Sequence, residues 1–310
     1  MDVLVTGGAG FIGSHLTAAL IEQGVNVRVL DNLSTGSPEN LAGLPVSLIE
    51  GDIADAETVL SAVSGCDLIF HLAALVSVPL SIKNPSANHR TNITGAFNVF
   101  EAARQCGVRR VIYASSAAVY GNPSRLPVYE DDVLVPISPY AAAKRMNELL
   151  AATYAVTYQM EFVGLRYMNV FGPRQDPASP YSGVLSIFCR AALNGDSCII
   201  FGDGEQTRDF IYVADVVAAN LLAANLPSSR LFNGLVVNIG RGEQTNLKQI
   251  VALLSELTQR PIPIIFQPER QGDIKHSVAN IDRAKEVLSF QPGTAVKTGL
   301  RNTLDWFPLY

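Results

Sequence analysis

A tyrosine and a lysine lie four residues apart in the segment ISPYAAAKRMNELLAATYA, residues 137–155. Pro139 suits the first turn of a helix and Ser138 suits its N-cap, so the segment is predicted to be helical. Tyr140 and Lys144 then share one face of that helix. An aromatic ring beside a lysine stem is common on helices without any chemistry, so a catalytic role needs support from the rest of the chain.

A glycine-rich turn near residue 10 indicates a nucleotide site. In LVTGGAGFIGSHL, Gly7, Gly10 and Gly13 form a G-x-x-G-x-x-G pattern between a predicted strand and a predicted helix. Backbone without a Cβ can turn tightly there and approach a pyrophosphate, whose charge is stabilised by the helix N-terminus. Such a turn is a weak signal alone, and its position between strand and helix strengthens it.

Residues at the ends of the next strands extend this site towards NAD. Asp31 ends the second predicted strand, where its carboxylate can accept hydrogen bonds from the adenosine ribose and repel the 2′-phosphate of NADP. A simple turn role for Asp31 is the less favoured alternative. Asp52 and Ile53 follow the third strand, near the expected adenine, and Ala73 and Ala74 follow the fourth. Small residues at strand ends also serve ordinary packing.

With NAD in place, the tyrosine and the lysine gain a chemical use. A tyrosine hydroxyl has a pKa of about 10, and a neighbouring ammonium together with the nicotinamide cation is expected to lower it by favouring phenolate. Lys144 is also expected to bind the nicotinamide ribose. The predicted strand VIYASSAAVYG reaches Ser115 and Ser116, and one hydroxyl there could share a substrate proton with the phenolate of Tyr140.

Strand-like and helical segments alternate through the first half of the chain. DVLVT, VNVRVL, VSLIEG, DLIFHLA, RRVIYAS and EFVGLRY are predicted to be six strands of an α/β, Rossmann-like doubly wound parallel sheet with crossover helices. Later segments read as a long loop, separate helices and short strands. We predict an NAD-binding domain over residues 1–168, to which some later segments return, and a smaller mixed α/β substrate lobe mainly over residues 169–310.

Composition limits the partners. The 310 residues are 48% hydrophobic and 16% charged with a net charge of −5, which is typical of a globular chain and gives no basic patch for nucleic acid. No signal peptide or spanning apolar run is recognised, so a cytoplasmic protein that does not bind membranes is predicted. Four cysteines without a C-x-x-C pair or a nearby His predict reduced thiols and no metal site.

Six ordered motifs resemble those of the extended short-chain dehydrogenase/reductase superfamily, and within it the nucleotide-sugar epimerases. They are TGGAGFIGSH, SSAAVYG, YAAAK, LRYMNVFGPRQDP, FGDGEQTRDFIYV and RQGDIKHS. The resemblance implies that Tyr140 is the catalytic base, Lys144 its activator and Ser116 its hydrogen-bonding partner. It also implies a set of cofactor contacts. They are Gly7, Gly10, Phe11, Ile12, Gly13, Asp31, Asn32, Asp52, Ile53, Leu72, Ala73, Ala74, Asn92, Tyr140 and Lys144.

The substrate implied by the resemblance is a UDP-sugar, with uridine inferred over thymidine. In related epimerases a Tyr at the position of Ser277 restricts the pocket to unacetylated hexoses, so this serine implies room for an N-acetyl group. Val76 points the same way, because galactose-type enzymes often carry Lys there. The implied substrate contacts are Ser115, Ser116, Asn169, Arg208, Arg270, Asp273 and Ser277.

The implied reaction is 4-epimerisation of UDP-N-acetylglucosamine and UDP-N-acetylgalactosamine, and also of UDP-glucose and UDP-galactose, through a transient 4-keto sugar. Dehydratases and decarboxylases on this scaffold need a further carboxylic group after the catalytic hydroxyl, where this chain has Ala117 and Ala118. A strict UDP-glucose 4-epimerase, a UDP-glucuronate 4-epimerase and a non-catalytic NAD-binding scaffold are the alternatives.

A homodimer is also implied by the resemblance, through pairing of the Tyr140 helix and the segment TGAFNVFEAARQCG across a two-fold axis. Packing in the core explains the apolar faces of these two helices equally well.

Overall fold

The chain folds into thirteen strands and ten α-helices within the residues that the computed structural model describes, which are 1–177, 183–231, 234–269 and 274–307. The strands are β1 Asp2–Thr6, β2 Asn26–Asp31, β3 Ser47–Glu50, β4 Leu68–His71, β5 Arg110–Ser116, β6 Glu161–Tyr167, β7 Asn169–Phe171, β8 Cys198–Phe201, β9 Thr207–Arg208, β10 Phe210–Tyr212, β11 Leu235–Ile239, β12 Thr245–Asn246 and β13 Ile264–Gln267.

The α-helices connect these strands. They are α1 Phe11–Glu22, α2 Ala56–Val63, α3 Val78–Lys83, α4 Pro85–His89, α5 Ala96–Gln105, α6 Pro139–Tyr158, α7 Val184–Asn194, α8 Val213–Ala224, α9 Leu247–Thr258 and α10 Val296–Trp306. Short 3-10 helices span Pro38–Leu41, Ala117–Tyr120 and Ser228–Arg230, and π-helical turns span Arg90–Gly95 and Ala284–Leu288.

Seven strands form one parallel sheet in the order β11-β6-β5-β4-β1-β2-β3. Chain order reverses beside β1, which pairs with β2 on one side and β4 on the other. In such a sheet the crevice at the carboxyl ends of the strands on either side of the reversal is where ligands bind. The predicted doubly wound α/β fold is confirmed, and the six strands predicted from the sequence all lie in this sheet.

Both faces of the central strands are buried, which explains their nearly continuous apolar runs. Val3 and Val5 of β1 join a hydrophobic cluster that includes side chains of α1 and α8. Leu4, which alternates with them, joins a second cluster with side chains of α2 and α5. The sheet is therefore covered by helices on both sides.

The part of the chain after β6 contributes both to this sheet and to smaller ones. β11 pairs in parallel with β6, with Val237 opposite Leu165, and so adds the seventh strand. Three two-stranded sheets pair β7 with β10, β8 with β13 and β9 with β12. The division of the chain at residue 168 stays a prediction, and β11 is a later segment that returns to the main sheet.

Two further observations concern membrane-spanning helices and metal sites. Within the described ranges, no helix combines the length and apolar character needed to cross a bilayer. The His, Cys, Asp and Glu side chains described there also form no group of three or more that could hold a metal ion.

Aromatic rings fill the core between β5, β6 and α5. Phe100 contacts Tyr113 and Phe162 edge to face, with ring centroids 5.5 and 4.9 Å apart. The hydroxyl of Tyr113 is buried and has no hydrogen-bond partner among the described residues. The hydroxyl of Tyr120, by contrast, donates to Asn238 Oδ1 at 2.6 Å.

Phenylalanine substitutions at these two tyrosines are expected to have opposite effects. Tyr113→Phe removes a buried hydroxyl that has no protein partner, so the free energy of unfolding should stay unchanged or rise by up to about 1 kcal/mol. Tyr120→Phe removes the donor to Asn238 Oδ1, so the free energy of unfolding should fall by about 1 to 3 kcal/mol. Urea unfolding of both variants checks this. Equal destabilisation by the two substitutions would contradict it.

Candidate active site

The three residues predicted to be catalytic meet where β5 ends and α6 begins. Ser116 is the last residue of β5, and Tyr140 and Lys144 lie one turn apart on α6. The hydroxyl group of Ser116 lies close enough to that of Tyr140 to act on its pKa. Lys144 Nζ donates to the carbonyl oxygen of Ala114 at 2.9 Å and lies 5.8 Å from the centroid of the Tyr140 ring. The geometry thus places a phenol, a hydroxyl and an ammonium together.

Burial dominates the electrostatics of this group. Tyr140 and Lys144 are 8% and 3% exposed. Burial lowers the pKa of Lys144 to about 8. Burial also raises the pKa of Tyr140, and the hydrogen bond with Ser116 opposes that rise. In the protein without NAD, the desolvation of the Tyr140 hydroxyl therefore outweighs the effect of Ser116 on its pKa. A lowered pKa of Tyr140 in the presence of the nicotinamide cation stays a prediction.

A buried histidine that the sequence analysis did not single out lies close to the lysine. His71 ends β4, is 4% exposed and shares a 2.8 Å hydrogen bond between its Nδ1 and Thr6 Oγ1. Burial, and secondarily the charge of Lys144, lower the pKa of His71 to about 3. The imidazole is therefore neutral near neutral pH and adds no second positive charge beside the ammonium.

Contacts within the protein require two of the three glycines in the predicted pyrophosphate loop. Gly7 has a φ of +72°, and a Cβ there would lie 2.7 Å from the Ala73 nitrogen. A Cβ on Gly13 would lie 2.0 Å from the Gly7 carbonyl oxygen. Gly10 is the N-cap of α1, whose first turn includes Phe11 and Ile12. Backbone N–H groups of a first helical turn lack partners within the helix, so this loop suits a pyrophosphate.

The carboxylate of Asp31 connects the end of β2 to this loop. Asp31 Oδ2 accepts from the backbone nitrogen of Ala9 at 2.9 Å, and its Oδ1 accepts from that of Leu33 at 2.9 Å. The exposed Asn32 accepts from the hydroxyl of Ser34. The turn role and the ribose role of Asp31 are compatible here, because each carboxylate oxygen keeps a second lone pair.

The residues predicted to lie near adenine differ in exposure. Asp52 accepts from Arg90 at 3.1 Å and is partly exposed. Ile53 is only 4% exposed. It packs closely on Gly95, since a Cβ added to Gly95 would lie 2.6 Å from the Ile53 side chain. Ile53 therefore offers little surface to a base, whereas Asp52 lies at an accessible edge.

The side-chain amide of Asn92 makes hydrogen bonds within the protein. Asn92 is 2% exposed, and its carboxamide both accepts from Leu75 nitrogen at 2.8 Å and donates to Leu75 oxygen at 2.9 Å. Leu75 directly follows the half-buried segment of Leu72, Ala73 and Ala74 at the end of β4. Asn92 thus holds the segment that is predicted to contact the cofactor.

Ser115 and Ser116 have different surroundings. The Ser115 hydroxyl donates to Glu148 Oε1 at 2.6 Å, within a buried network in which Arg166 contacts both oxygens of Glu148 at 2.8 and 2.9 Å. The geometry therefore favours Ser116 for a proton shared with Tyr140. Sequence reasoning did not find Glu148, although its position four residues after Lys144 on the same helix face was a usable signal.

Two of the residues predicted to bind the substrate, Asn169 and Arg208, lie in strands of the smaller sheets. Asn169 is exposed at the start of β7. Ser277 donates its backbone N–H to the Thr207 carbonyl oxygen at 3.1 Å, which puts it beside Arg208. The structure thus brings Arg208 and Ser277 together. Arg270 and Asp273 lie outside the described residues.

A buried aspartate that sequence reasoning missed follows Arg208. Asp209 is fully buried, and its carboxylate accepts from the backbone nitrogens of Arg241, Gly242 and Ala279 at 2.7, 3.0 and 3.2 Å. Burial raises its pKa to about 6. This carboxylate fixes the loop after β11 and the segment after Ser277 relative to β10.

The burial of Lys144 predicts a pH dependence of stability in the absence of NAD. The pKa of Lys144 falls from 10.5 to about 8 on folding, so the unfolded chain binds more protons within that window and stability should rise with pH there. Lys144→Met should therefore be more stable than wild type near neutral pH, and the difference should shrink as pH rises through the window. Urea unfolding across this pH range is the measurement. Lys83→Met, at an exposed lysine of α3, is the control, and a constant difference for Lys144→Met would contradict the prediction.

Known proteins resemble this chain over nearly its whole length. A UDP-glucose 4-epimerase of Mycolicibacterium smegmatis is 39% identical over 313 residues, covering 99% of this chain and 98% of the relative. The solved UDP-N-acetylglucosamine 4-epimerase from Methanobrevibacter ruminantium superimposes with a TM-score of 0.94 at 40% identity, covering 99% and 98% of the two chains. The UDP-glucose 4-epimerase of Thermotoga maritima, solved with UDP-glucose, has a TM-score of 0.95 at 39% identity, covering 100% and 99%.

The family is identified by a match that covers most of the chain. A sequence model described as the NAD dependent epimerase/dehydratase family matches residues 3–240. This match confirms the resemblance inferred from the six motifs, and with it the prediction that NAD is the cofactor. The chain belongs to the NAD dependent epimerase/dehydratase family.

Proposed function

We propose that the protein is a 4-epimerase of UDP-hexosamines that interconverts UDP-N-acetylglucosamine and UDP-N-acetylgalactosamine and also accepts UDP-glucose and UDP-galactose. The observation that carries the proposal is the buried contact between Tyr140 and Ser116, with the ammonium of Lys144 beside it. A base, a hydrogen-bonding hydroxyl and a cation are what proton removal from a sugar hydroxyl requires.

The residues of the chain handle the proton. Tyr140 removes it from the 4-hydroxyl of the sugar while Ser116 holds the same oxygen by a hydrogen bond. The ammonium of Lys144 stabilises the phenolate form of Tyr140. Bound NAD would supply reversible hydride transfer at C4, so no second redox substrate would be consumed. Tyr140 gives the proton back after the planar 4-keto sugar has turned its other face to the cofactor, which inverts C4.

The residues after Ser116 favour epimerisation over elimination. Ala117 and Ala118 begin a 3-10 helix directly after the catalytic hydroxyl and carry no acid. Expulsion of a hydroxyl from the sugar needs a group that protonates it. Epimerisation at C4 needs only the groups already described.

The preference for an acetylated sugar rests on Ser277. This serine is half-buried and lies beside Arg208, whose guanidinium is a suitable partner for the substrate diphosphate. A small side chain there leaves space that a tyrosine would fill. The solved UDP-N-acetylglucosamine 4-epimerase that resembles this chain supports this choice, while the two UDP-glucose 4-epimerases keep a strict UDP-glucose enzyme as the second candidate.

Proton NMR of sugar products tests the proposal. The protein with NAD should convert UDP-N-acetylglucosamine and UDP-glucose to their galacto-configured products. Tyr140→Phe should lower both rates by about 10²- to 10⁴-fold. Ser277→Tyr should lower turnover of the acetylated sugar at least about tenfold and leave UDP-glucose turnover within about twofold, because a bulky ring excludes only the acetyl group.

The outcomes separate the candidates. Turnover of UDP-glucose alone by the wild-type protein would contradict the hexosamine preference and keep the mechanism. Turnover of neither sugar, with UDP-glucuronate converted instead, would move the assignment to the uronate epimerase. Turnover of none of the three would leave the non-catalytic scaffold.

We also propose a homodimer formed through α5 and α6. Phe97 on α5 is 46% exposed, and Met146 and Leu149 on α6 are 51% and 52% exposed, so the two helices carry an uncovered apolar surface. Helix pairing across a two-fold axis would bury these side chains against their own copies.

Light scattering after size exclusion tests the dimer. The wild-type protein should have twice the chain mass, and Phe97→Glu should shift it to a single chain mass because a carboxylate cannot be buried there without a partner. Leu48→Glu, at a 37% exposed leucine of β3, is the matched control and should stay dimeric. A wild-type protein with the mass of one chain would contradict the proposal.

A further inference from the structure

The first turn of α6 is held by side chains from outside the helix. The first N–H groups of a helix have no partner within it and need other acceptors. Pro139 has no N–H, and the N-cap Ser138 accepts from the backbone nitrogen of Ala141 at 3.2 Å. The remaining donor between them, the backbone N–H of Tyr140, donates to Ser81 Oγ at 3.2 Å. The backbone of the catalytic tyrosine is therefore tied to α3.

The orientation of the Ser81 hydroxyl is fixed by a second bond. Ser81 is fully buried, and its hydroxyl proton is donated to the Val78 carbonyl oxygen at 2.7 Å. A serine hydroxyl has one proton and two lone pairs. With the proton used on Val78, Ser81 presents a lone pair to Tyr140 and serves only as its acceptor.

The other end of the same peptide group is held by α4. Asn88 is 2% exposed, and its Nδ2 donates to the carbonyl oxygen of Pro139 at 3.1 Å. The peptide group between Pro139 and Tyr140 is thus held at its C=O by Asn88 and at its N–H by Ser81. Two bonds at opposite ends fix both the position and the rotation of that group.

This clamp continues to the segment predicted to contact the cofactor. Asn88 Oδ1 accepts from Asn92 Nδ2 at 2.8 Å, and Asn92 holds both backbone groups of Leu75. Because Leu75 supplies one donor and one acceptor, the orientation of the Asn92 amide is determined, and that of Asn88 follows from it. An unbroken path of buried and partly buried hydrogen bonds therefore joins the end of the Leu72–Leu75 segment to the first turn of α6.

We propose that Ser81 and Asn88 are positioning residues that set the place of the Tyr140 hydroxyl relative to Ser116 and to the nicotinamide face of the site. They act through the backbone of Tyr140 and touch neither substrate nor cofactor. A displacement of about 1 Å at the reacting groups can cost about 100-fold in rate. The inference rests on the proposed function for its kinetic part and on the geometry alone for its structural part.

Two variants break the clamp at different ends. Ser81→Ala removes the acceptor of the Tyr140 N–H, and Asn88→Asp keeps the acceptor for Asn92 but removes the donor to Pro139. Ser81→Thr retains a hydroxyl acceptor and is the conservative variant. Ser86→Ala, at an exposed serine of α4, is the matched control.

Hydrogen exchange and kinetics of the NAD-loaded enzyme test the proposal together. Ser81→Ala and Asn88→Asp should speed amide exchange at Tyr140 about tenfold and lower kcat about 10- to 100-fold with KM within about twofold. The acid limb of the pH–rate profile should move to higher pH, because Tyr140 loses part of the Ser116 hydrogen bond that lowers its pKa. Ser81→Thr should restore wild-type values and Ser86→Ala should keep them.

Unchanged kcat, acid limb and Tyr140 exchange in a folded Ser81→Ala or Asn88→Asp protein would overturn the proposal. A lower rate that only follows a smaller folded fraction, with an unmoved acid limb, would also overturn it. If one variant fails to fold, the other decides. A wild-type protein that turns over no UDP-sugar would defeat the proposed function, while the exchange at Tyr140 would still decide whether the clamp holds.

Discussion

The site depends on how one helix docks on the end of one strand. Tyr140 can share a hydrogen bond with Ser116 only if α6 lies at a fixed depth and rotation against β5. The Glu148–Arg166 ion pair between α6 and β6, with the Ser115 hydroxyl as a further donor, holds this docking eight residues beyond Tyr140. Removing one partner of such a buried pair leaves an uncompensated charge. Any change that separates Glu148 from Arg166 is therefore costly, and this cost holds α6 in place against β5 and β6.

The same docking explains the unusual charge state of the site. An ammonium in a buried place beside a neutral histidine and a phenol is costly, and the depressed pKa of Lys144 reflects that cost. The carbonyl oxygen of Ala114 offsets part of it. With a pKa of about 8, Lys144 can exist in either protonation state near neutral pH. Such a site suits a reaction that moves one proton out and back. His15 of α1 also hydrogen-bonds to the Pro173 carbonyl oxygen at 2.9 Å, which joins the helix after the glycine-rich loop to the segment after β7.

Much of this fold is readable from the sequence because the central strands are buried on both faces and are therefore almost continuously apolar. The glycine pattern is equally readable, since Gly7 must adopt a positive φ and lie against Ala73. Other features depend on contacts between distant segments and could not be read from local patterns. They are the pairing of β11 with β6, the hydrogen bond from Ser115 to Glu148 and the backbone hydrogen bonds to the Asp209 carboxylate. The raised pKa of Tyr140 in the absence of NAD could not be read from the sequence, because a helical pattern does not reveal how deeply its first turn is buried.

In the proposed reaction, Tyr140 and its neighbours support a reversible oxidation at C4 of a UDP-sugar, with the hydride kept inside the site. UDP-sugar carrying deuterium at C4, incubated in ordinary water with the NAD-loaded enzyme, measures this directly by NMR and mass spectrometry. Both epimers should retain the deuterium at C4 throughout the approach to equilibrium. Loss of the label to solvent at the rate of epimerisation would show that C4 is deprotonated instead, and would rule out hydride transfer at C4.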